Sequence, residues 1–324
     1  MLRLKREELL REPVKDVTID PDMSISRLIK IYEDMYGFMA GHLARAVKVL
    51  ARALREARWR FLAFTGNLVA TGLRGILAQA IREELFNVVV TTCGTIDHDI
   101  ARGTGGKYYK GLFEADDKML KELEIHRLGN IFIPVEDYGP RIEKFVYKVL
   151  DELDRSRSWG IREVLHEIGK RIEDEHSILR AAYEKNVGVY VPGWLDGAFG
   201  TALFTYTRTH KDLVIDPFKD EQELADIVFG AAARGEKSAA LIIGGGISKH
   251  HTIWWNQFKD GLDFVVYVTT AVEYDGSLSG AHPREAISWG KVRPEAEHVV
   301  VYGDATIIVP LLVAAMIEVK RGGR

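Results

Sequence analysis

Cysteine occurs once in the 324 residues, at Cys93. A single thiol cannot close a disulfide within the chain, so the fold rests on its core, and a reducing compartment suits it. No apolar run reaches the ~18 residues that a membrane-spanning helix needs. The opening MLRLKREELLREP is too charged to hold the apolar stretch of a signal peptide. The cytoplasm is therefore the expected location. An excess of either charge is also missing: the net charge is −3, which leaves no electrostatic case for binding nucleic acid or an anionic membrane. HExxH and Cys/His clusters are absent, so no metal site is expected. The GxGxxG fingerprint is absent too. "RGTGGKYY" (102–109) fails as a phosphate loop, with Ala101 where the first glycine belongs and Tyr108 after Lys107. It reads as a flexible glycine-rich loop.

What is present is a globular composition, 47% hydrophobic and 28% charged, in a chain long enough for one large core or two modest ones. Sparse Cys, Gln and Asn beside plentiful Lys, Arg and Glu lean towards a thermophile. Residues 2–11 read as a short charged helix that ends near Pro13, giving an N-terminal helical arm over 1–20. A long helical stretch follows over 24–57, with apolar Leu28, Ile31, Met35 and Phe38 at helical spacing, bent or divided at Gly37 and Gly41. From Arg60 short β-rich runs alternate with helical patterns such as 70–84, 141–154, 220–234 and 306–319. The runs cover 60–66, 87–94, 130–134, 187–192, 212–216, 239–246, 263–271 and 298–305. Several are apolar on both faces, as strands inside a parallel sheet should be. The expected fold is α/β, a doubly wound, mostly parallel, Rossmann-like sheet with an N-terminal helical extension, forming a single catalytic domain over 21–324.

Such sheets bind ligands beyond the carboxyl ends of their strands. Gly66 and Asn67, Thr92 to Gly94, Asp196, Gly244 to Gly246, Thr270, and Asp304 stand there. Each one alone is most simply a turn residue. Six such endings together point to a nucleotide-like ligand. His250 and His251 lie about 100° apart on a helix and do not share a metal. His250, at the start of the helix expected after strand 239–246, faces the ligand edge and is the better candidate.

"SWGKVRPEAE" (288–297) sets Lys291 directly behind Trp289 and Gly290. An amine nucleophile must shed its proton, and lowering a lysine from ~10.4 to ~7.5 takes about 4 kcal/mol of environment. Desolvation beside an apolar wall can supply it. Judged by spacing alone, the run over 273–291 is loop-like, and a lysine there is more simply a solvated one.

"GGGISKHH" (244–251), "TTAVEYDGSLSGAHPREAISWGK" (269–291) and "YGDATIIVPLLV" (302–313) resemble deoxyhypusine synthase in its archaeal form. "TGNLVATG", "VVVTTCG", "HRLGNIFIP" and "DGAFG" fit the same pattern, so that the resemblance runs from about residue 20 to the C-terminus. It implies an NAD-dependent enzyme that oxidises and cleaves spermidine and releases 1,3-diaminopropane. The aminobutyl fragment is carried as an imine on the enzyme's lysine. It then passes to one lysine of the precursor of translation initiation factor 5A and is reduced there. The motif places the imine on Lys291. His250 is implied as the proton-handling group, Trp289 as the wall along the polyamine and Glu285 as a ligand of one ammonium, with Asp97, Gly276 and Ser277 also in the substrate site. NAD is implied at Gly66, Asn67, Thr92, Cys93, Gly94, Asp196, Gly245, Thr270, Asp275, Asp304 and Ala305. A homotetramer with active sites between subunits is implied as well, and residues 2–11 are free to cover a neighbour's site entrance. Thr201, Leu278 and His98 stand where other members carry acids. Losing carboxylates from a dicationic site weakens selection for spermidine. A homospermidine synthase-like transfer to a small amine shares Lys291 and NAD and is the alternative, followed by a non-catalytic NAD- or polyamine-binding relative.

Overall fold

The structure, a computed structural model, describes residue 6 and residues 10–322. Six strands form one parallel sheet, here numbered in chain order: β1 (Ala57–Phe64), β2 (Val88–Val90), β3 (Gly188–Tyr190), β4 (Lys237–Ile243), β5 (Leu262–Thr269) and β6 (Val292–Tyr302). Their order across the sheet is β3-β2-β1-β4-β5-β6. The chain builds outward from β1 to β3, returns, and builds outward again from β4 to β6. Dinucleotide-binding folds use this order, with the switch point between the first and fourth strands.

Alternation along each strand explains the two layers. Leu62, Phe64, Val89, Leu241, Ile243, Val266 and Val268 face a core closed by helices Met39–Glu56, Leu73–Arg82 and Ala305–Gly322. Phe61, Ala63, Val90, Ala240, Ile242, Val265 and Tyr267 face the other side, where Leu224, Ile253 and Ala286 come from helices Phe218–Arg234, Gly246–Asn256 and Pro283–Ser288. Both faces are buried, so the strands lack the polar alternation of a half-exposed sheet.

Six of the eight expected strand runs form this sheet. The other two do not. Ile131–Pro134 lies in a small antiparallel sheet with Ile125–Leu128 and Tyr109–Lys110, and Val214–Ile215 pairs only with Ser158–Trp159. The stretch 24–57 is two helices, Ile25–Met35 and Met39–Glu56, divided at Tyr36 to Phe38 where both aromatic residues take positive φ. Gly41 lies inside the second helix, and a Cβ there would come 2.6 Å from the Tyr36 carbonyl oxygen, so the close approach of Tyr36 requires glycine. The helix expected over 2–11 lies almost entirely outside the described residues, and 10–22 contain no helix or strand. Among the described residues no helix is long and apolar enough to cross a membrane.

Candidate active site

Most cofactor candidates sit just past the carboxyl end of one of the six strands, while Asp196 and Asp275 each lie six residues beyond theirs. The Gly66 amide donates to Thr92 Oγ1 at 3.0 Å, which joins the ends of β1 and β2. A Cβ on Gly66 would come 2.5 Å from the Gly94 carbonyl carbon, so only glycine lets these two backbones meet. Cys93 and Gly94 open helix Cys93–Gly103, whose amino end has no side-chain cap, and Gly245 precedes helix Gly246–Asn256 in the same state. Uncapped amides at helix starts favour anionic ligands. The Cys93 thiol is buried and pushed up to about 12, by burial first and then by the Asp97 charge. Only its backbone is therefore offered to a ligand. Asp304 caps helix Ala305–Gly322, accepting from the Thr306 amide at 2.7 Å. Asp196 and Thr270 are exposed beyond β3 and β5. Asp275 and Gly276 end a 3-10 turn after β5, and Asp275 accepts from the Ser277 amide at 2.6 Å. These residues suit a dinucleotide: small side chains, open amides and exposed carboxylates gather beyond one edge of the sheet.

Lys291 reaches its place by another route. Helix Pro283–Ser288 interrupts the stretch expected to be loop. It ends in a Schellman motif: Gly290 has φ +69 and donates to the Ile287 carbonyl, and the Lys291 amide donates to the Ala286 carbonyl, both at 3.0 Å. Nothing lies within 4 Å of a Cβ added at Gly290, so its requirement is conformational rather than steric. The Lys291 carbonyl then accepts from the Leu262 amide and starts β6 beside β5. The lysine backbone thus enters at the amino end of β6, away from the strand ends that sequence reasoning favoured.

Its side chain is 9% exposed. Nζ lies 3.5 Å from His250 Nε2, 5.2 Å from the Trp289 ring centroid and 5.7 Å from that of Trp254. Burial, and then the Lys291 charge, hold His250 below its ordinary pKa, so a neutral imidazole faces the amine at neutral pH. In the tautomer with its proton on Nδ1, that ring offers Nε2 to the Lys291 N–H. A gap of 3.5 Å is the outer edge of a hydrogen bond, which is common at catalytic pairs without substrate. Trp254 stacks on His250 with centroids 5.7 Å apart. The site can bind a cation against indoles, accept a proton at His250 and present an amine sheltered from water. Trp289 is 67% exposed, and Trp254 and Tyr274 are exposed as well, so this chain alone leaves the aromatic rim uncovered.

Other expected members stand apart. Asp97 is 1% exposed and accepts from the Ala198 and Phe199 amides at 2.9 and 2.7 Å and from Tyr138 Oη at 3.0 Å. It caps helix Ala198–Thr209, and none of these bonds leads to His250, Trp289 or Lys291. His98 is buried, bonded to Tyr108 Oη and lowered to about 4, chiefly by burial, so it is a neutral core residue. His251 faces Glu221 and Trp255, away from Lys291. Glu285 and Ser277 are exposed, near the lysine in sequence. Trp254 was missed, although its position four residues after His250 puts both on one helix face. Lys249 was missed as well. Two cavities of about 510 and 520 Å³ lie elsewhere, one lined by Arg52, Lys237, Asp263 and Arg293, the other by Arg74, Arg82 and Arg102.

Fold and site together define a doubly wound α/β protein with a sheltered lysine amine beside a neutral imidazole. The family model for deoxyhypusine synthase matches residues 27–316. The chain is 57% identical over 315 residues to a protein of Sulfurisphaera tokodaii and 58% identical over 316 residues to one of Sulfolobus acidocaldarius. Both are described as "Probable deoxyhypusine synthase", and each match covers 97% of this chain and 100% of the relative. A crystal structure of a candidate deoxyhypusine synthase from Entamoeba histolytica superposes with a TM-score of 0.63 at 20% identity, covering 93% of this chain and 96% of that one; at such identity the likeness speaks for the fold. The chain belongs to the deoxyhypusine synthase family, a family of transferases.

Proposed function

We propose that this protein transfers the aminobutyl group of spermidine, in the presence of NAD, to one lysine of the precursor of translation initiation factor 5A. The observation that carries the reading is Lys291, a residue nine-tenths buried whose amine lies 3.5 Å from a neutral His250 and is flanked by two indoles. Gly66, Asn67, Thr92 to Gly94, Asp196, Gly245, Thr270, Asp275, Asp304 and Ala305 would hold NAD, which would supply the oxidation and the later reduction. Trp289 and Trp254 hold the polyamine by cation–π attraction, and Glu285 takes an ammonium end. His250 accepts the proton that the reacting amine gives up. Lys291 condenses with the oxidised four-carbon unit, 1,3-diaminopropane leaves, and the acceptor lysine later displaces Lys291. The uncovered aromatic rim supports a homotetramer in which a second copy closes each site. A cytoplasmic location fits this chemistry.

Thr201, exposed on helix Ala198–Thr209, and Leu278 leave the polyamine fewer carboxylates, which favours a second reading: transfer to a small amine such as putrescine. Incubation with labelled spermidine, NAD and the acceptor protein separates them. Label in the acceptor supports the proposal. Label only in a small-molecule product, with putrescine supplied, supports the second reading.

A further inference from the structure

Lys249 carries a buried charge that the chemistry above does not use. It is 1% exposed on helix Gly246–Asn256, immediately before His250. Its Nζ donates to the Ala281 carbonyl at 2.7 Å and stands 4.0 Å from the Tyr267 ring centroid. Glu285 acts on it through charge, yet burial outweighs that attraction and lowers the ammonium to about 8. Burying a cation on one carbonyl and one ring is costly, and an apolar side chain of the same length would fill the space more favourably. What the apolar side chain could not do is hold the Ala281 carbonyl.

The loop held in this way lies directly on the start of the same helix. A Cβ on Gly245 would come 2.1 Å from Ser279 Oγ, and one on Gly280 would come 2.0 Å from the Val272 carbonyl oxygen. His282, next after Ala281, caps helix Pro283–Ser288 by accepting the Arg284 amide on Nδ1 at 3.2 Å. That helix ends in the Schellman turn that delivers Lys291. A closed mechanical path therefore runs from Lys249 through Ala281, His282 and the short helix to Lys291, and back to His250, the neighbour of Lys249.

We propose that Lys249 is a positioning residue, whose ammonium clamps the Ala281 loop onto the helix bearing His250 and so fixes where Lys291 meets His250. The inference rests on the reading of Lys291 as the imine-forming amine. The test is borohydride trapping of the full-length protein with spermidine and NAD, timed over seconds to minutes and read by mass at Lys291. Lys249→Met slows adduct formation about 10- to 100-fold at saturating spermidine, the scale expected of a misplaced reacting group, while the spermidine KM and NAD binding change little. Lys249→Arg, which keeps a charged donor over Ala281, recovers part of the rate. Where Lys249→Met does not fold, Lys249→Leu, which likewise has no donor for the Ala281 carbonyl, carries the same comparison. An unchanged rate in the folded neutral variant overturns the positioning role alone, and so does a loss that only mirrors a lower melting temperature. No adduct in the unaltered protein overturns the reading of Lys291, and this one with it.

Discussion

Asp99 and Lys291 are both buried charges, held in opposite ways. Asp99 accepts from Arg74 Nε at 2.6 Å, Ser177 Oγ at 2.7 Å and the Ile178 and Leu179 amides at 3.1 and 2.8 Å, while Arg74 also binds Asp174. The carboxylate is saturated and caps a helix. Lys291 has one ring nitrogen at 3.5 Å and two indole faces. A charge with all its partners is scaffold, because nothing remains free to react. A charge left short of partners pays in stability and remains available to substrate.

The sharpest way to break this comparison is to truncate both. Lys291→Ala should abolish transfer and trapping while leaving folding intact, whereas Asp99→Ala should cost about 3–5 kcal/mol by leaving the buried Arg74 with Asp174 alone and three other donors without an acceptor. Thermal melts and activity assays on the two variants check this, and a melt collapse in Lys291→Ala would mean that the lysine is scaffold too. Next in size, His250→Ala should slow transfer by about 10²- to 10⁴-fold, as loss of an acid–base group does, with NAD binding preserved in a titration. Gly290→Ala places a Cβ at φ +69 and should cost about 1–2 kcal/mol. It should also slow trapping, because the Schellman turn aims Lys291. The remaining effect concerns pH. Burial lowers His98 to about 4, so the stability it contributes is complete above its unfolded value of ~6.5 and is lost as pH falls towards 4. His98→Gln should flatten that acid limb by roughly 1–3 kcal/mol in denaturant melts at stepped pH. The half-buried His251, also lowered to about 4, leaves a residual slope over the same window.

The ligand edge of the sheet was legible because turn chemistry is local: a buried strand followed by Gly, Thr or Asp is visible in a few residues. Strands β1, β2, β4 and β5 announced themselves in this way. The run at 130–134 looked the same, since a short apolar stretch does not reveal which strand it pairs with. The capping role of Asp97 was not legible, because its partners, the Ala198 and Phe199 amides, lie about a hundred residues away. Helix Pro283–Ser288 was hidden behind the Gly- and Ser-rich run before it, although Pro283 at its first turn and Gly290 beyond its end are ordinary helix punctuation. Lys291 could be located by motif, but its burial depends on His250 and Trp254 arriving from the helix after β4. Lys249 could not be read at all, because its burial follows from Tyr267 on the neighbouring strand.

Lys291 is the reactive group only if its amine captures a carbon fragment. Incubating the protein with spermidine and NAD, reducing with borohydride and mapping the peptides by mass tests it directly. The expected product is a four-carbon amine adduct on Lys291 that depends on NAD and is absent from Lys291→Ala. An unmodified Lys291 in protein that demonstrably binds NAD and spermidine would contradict it.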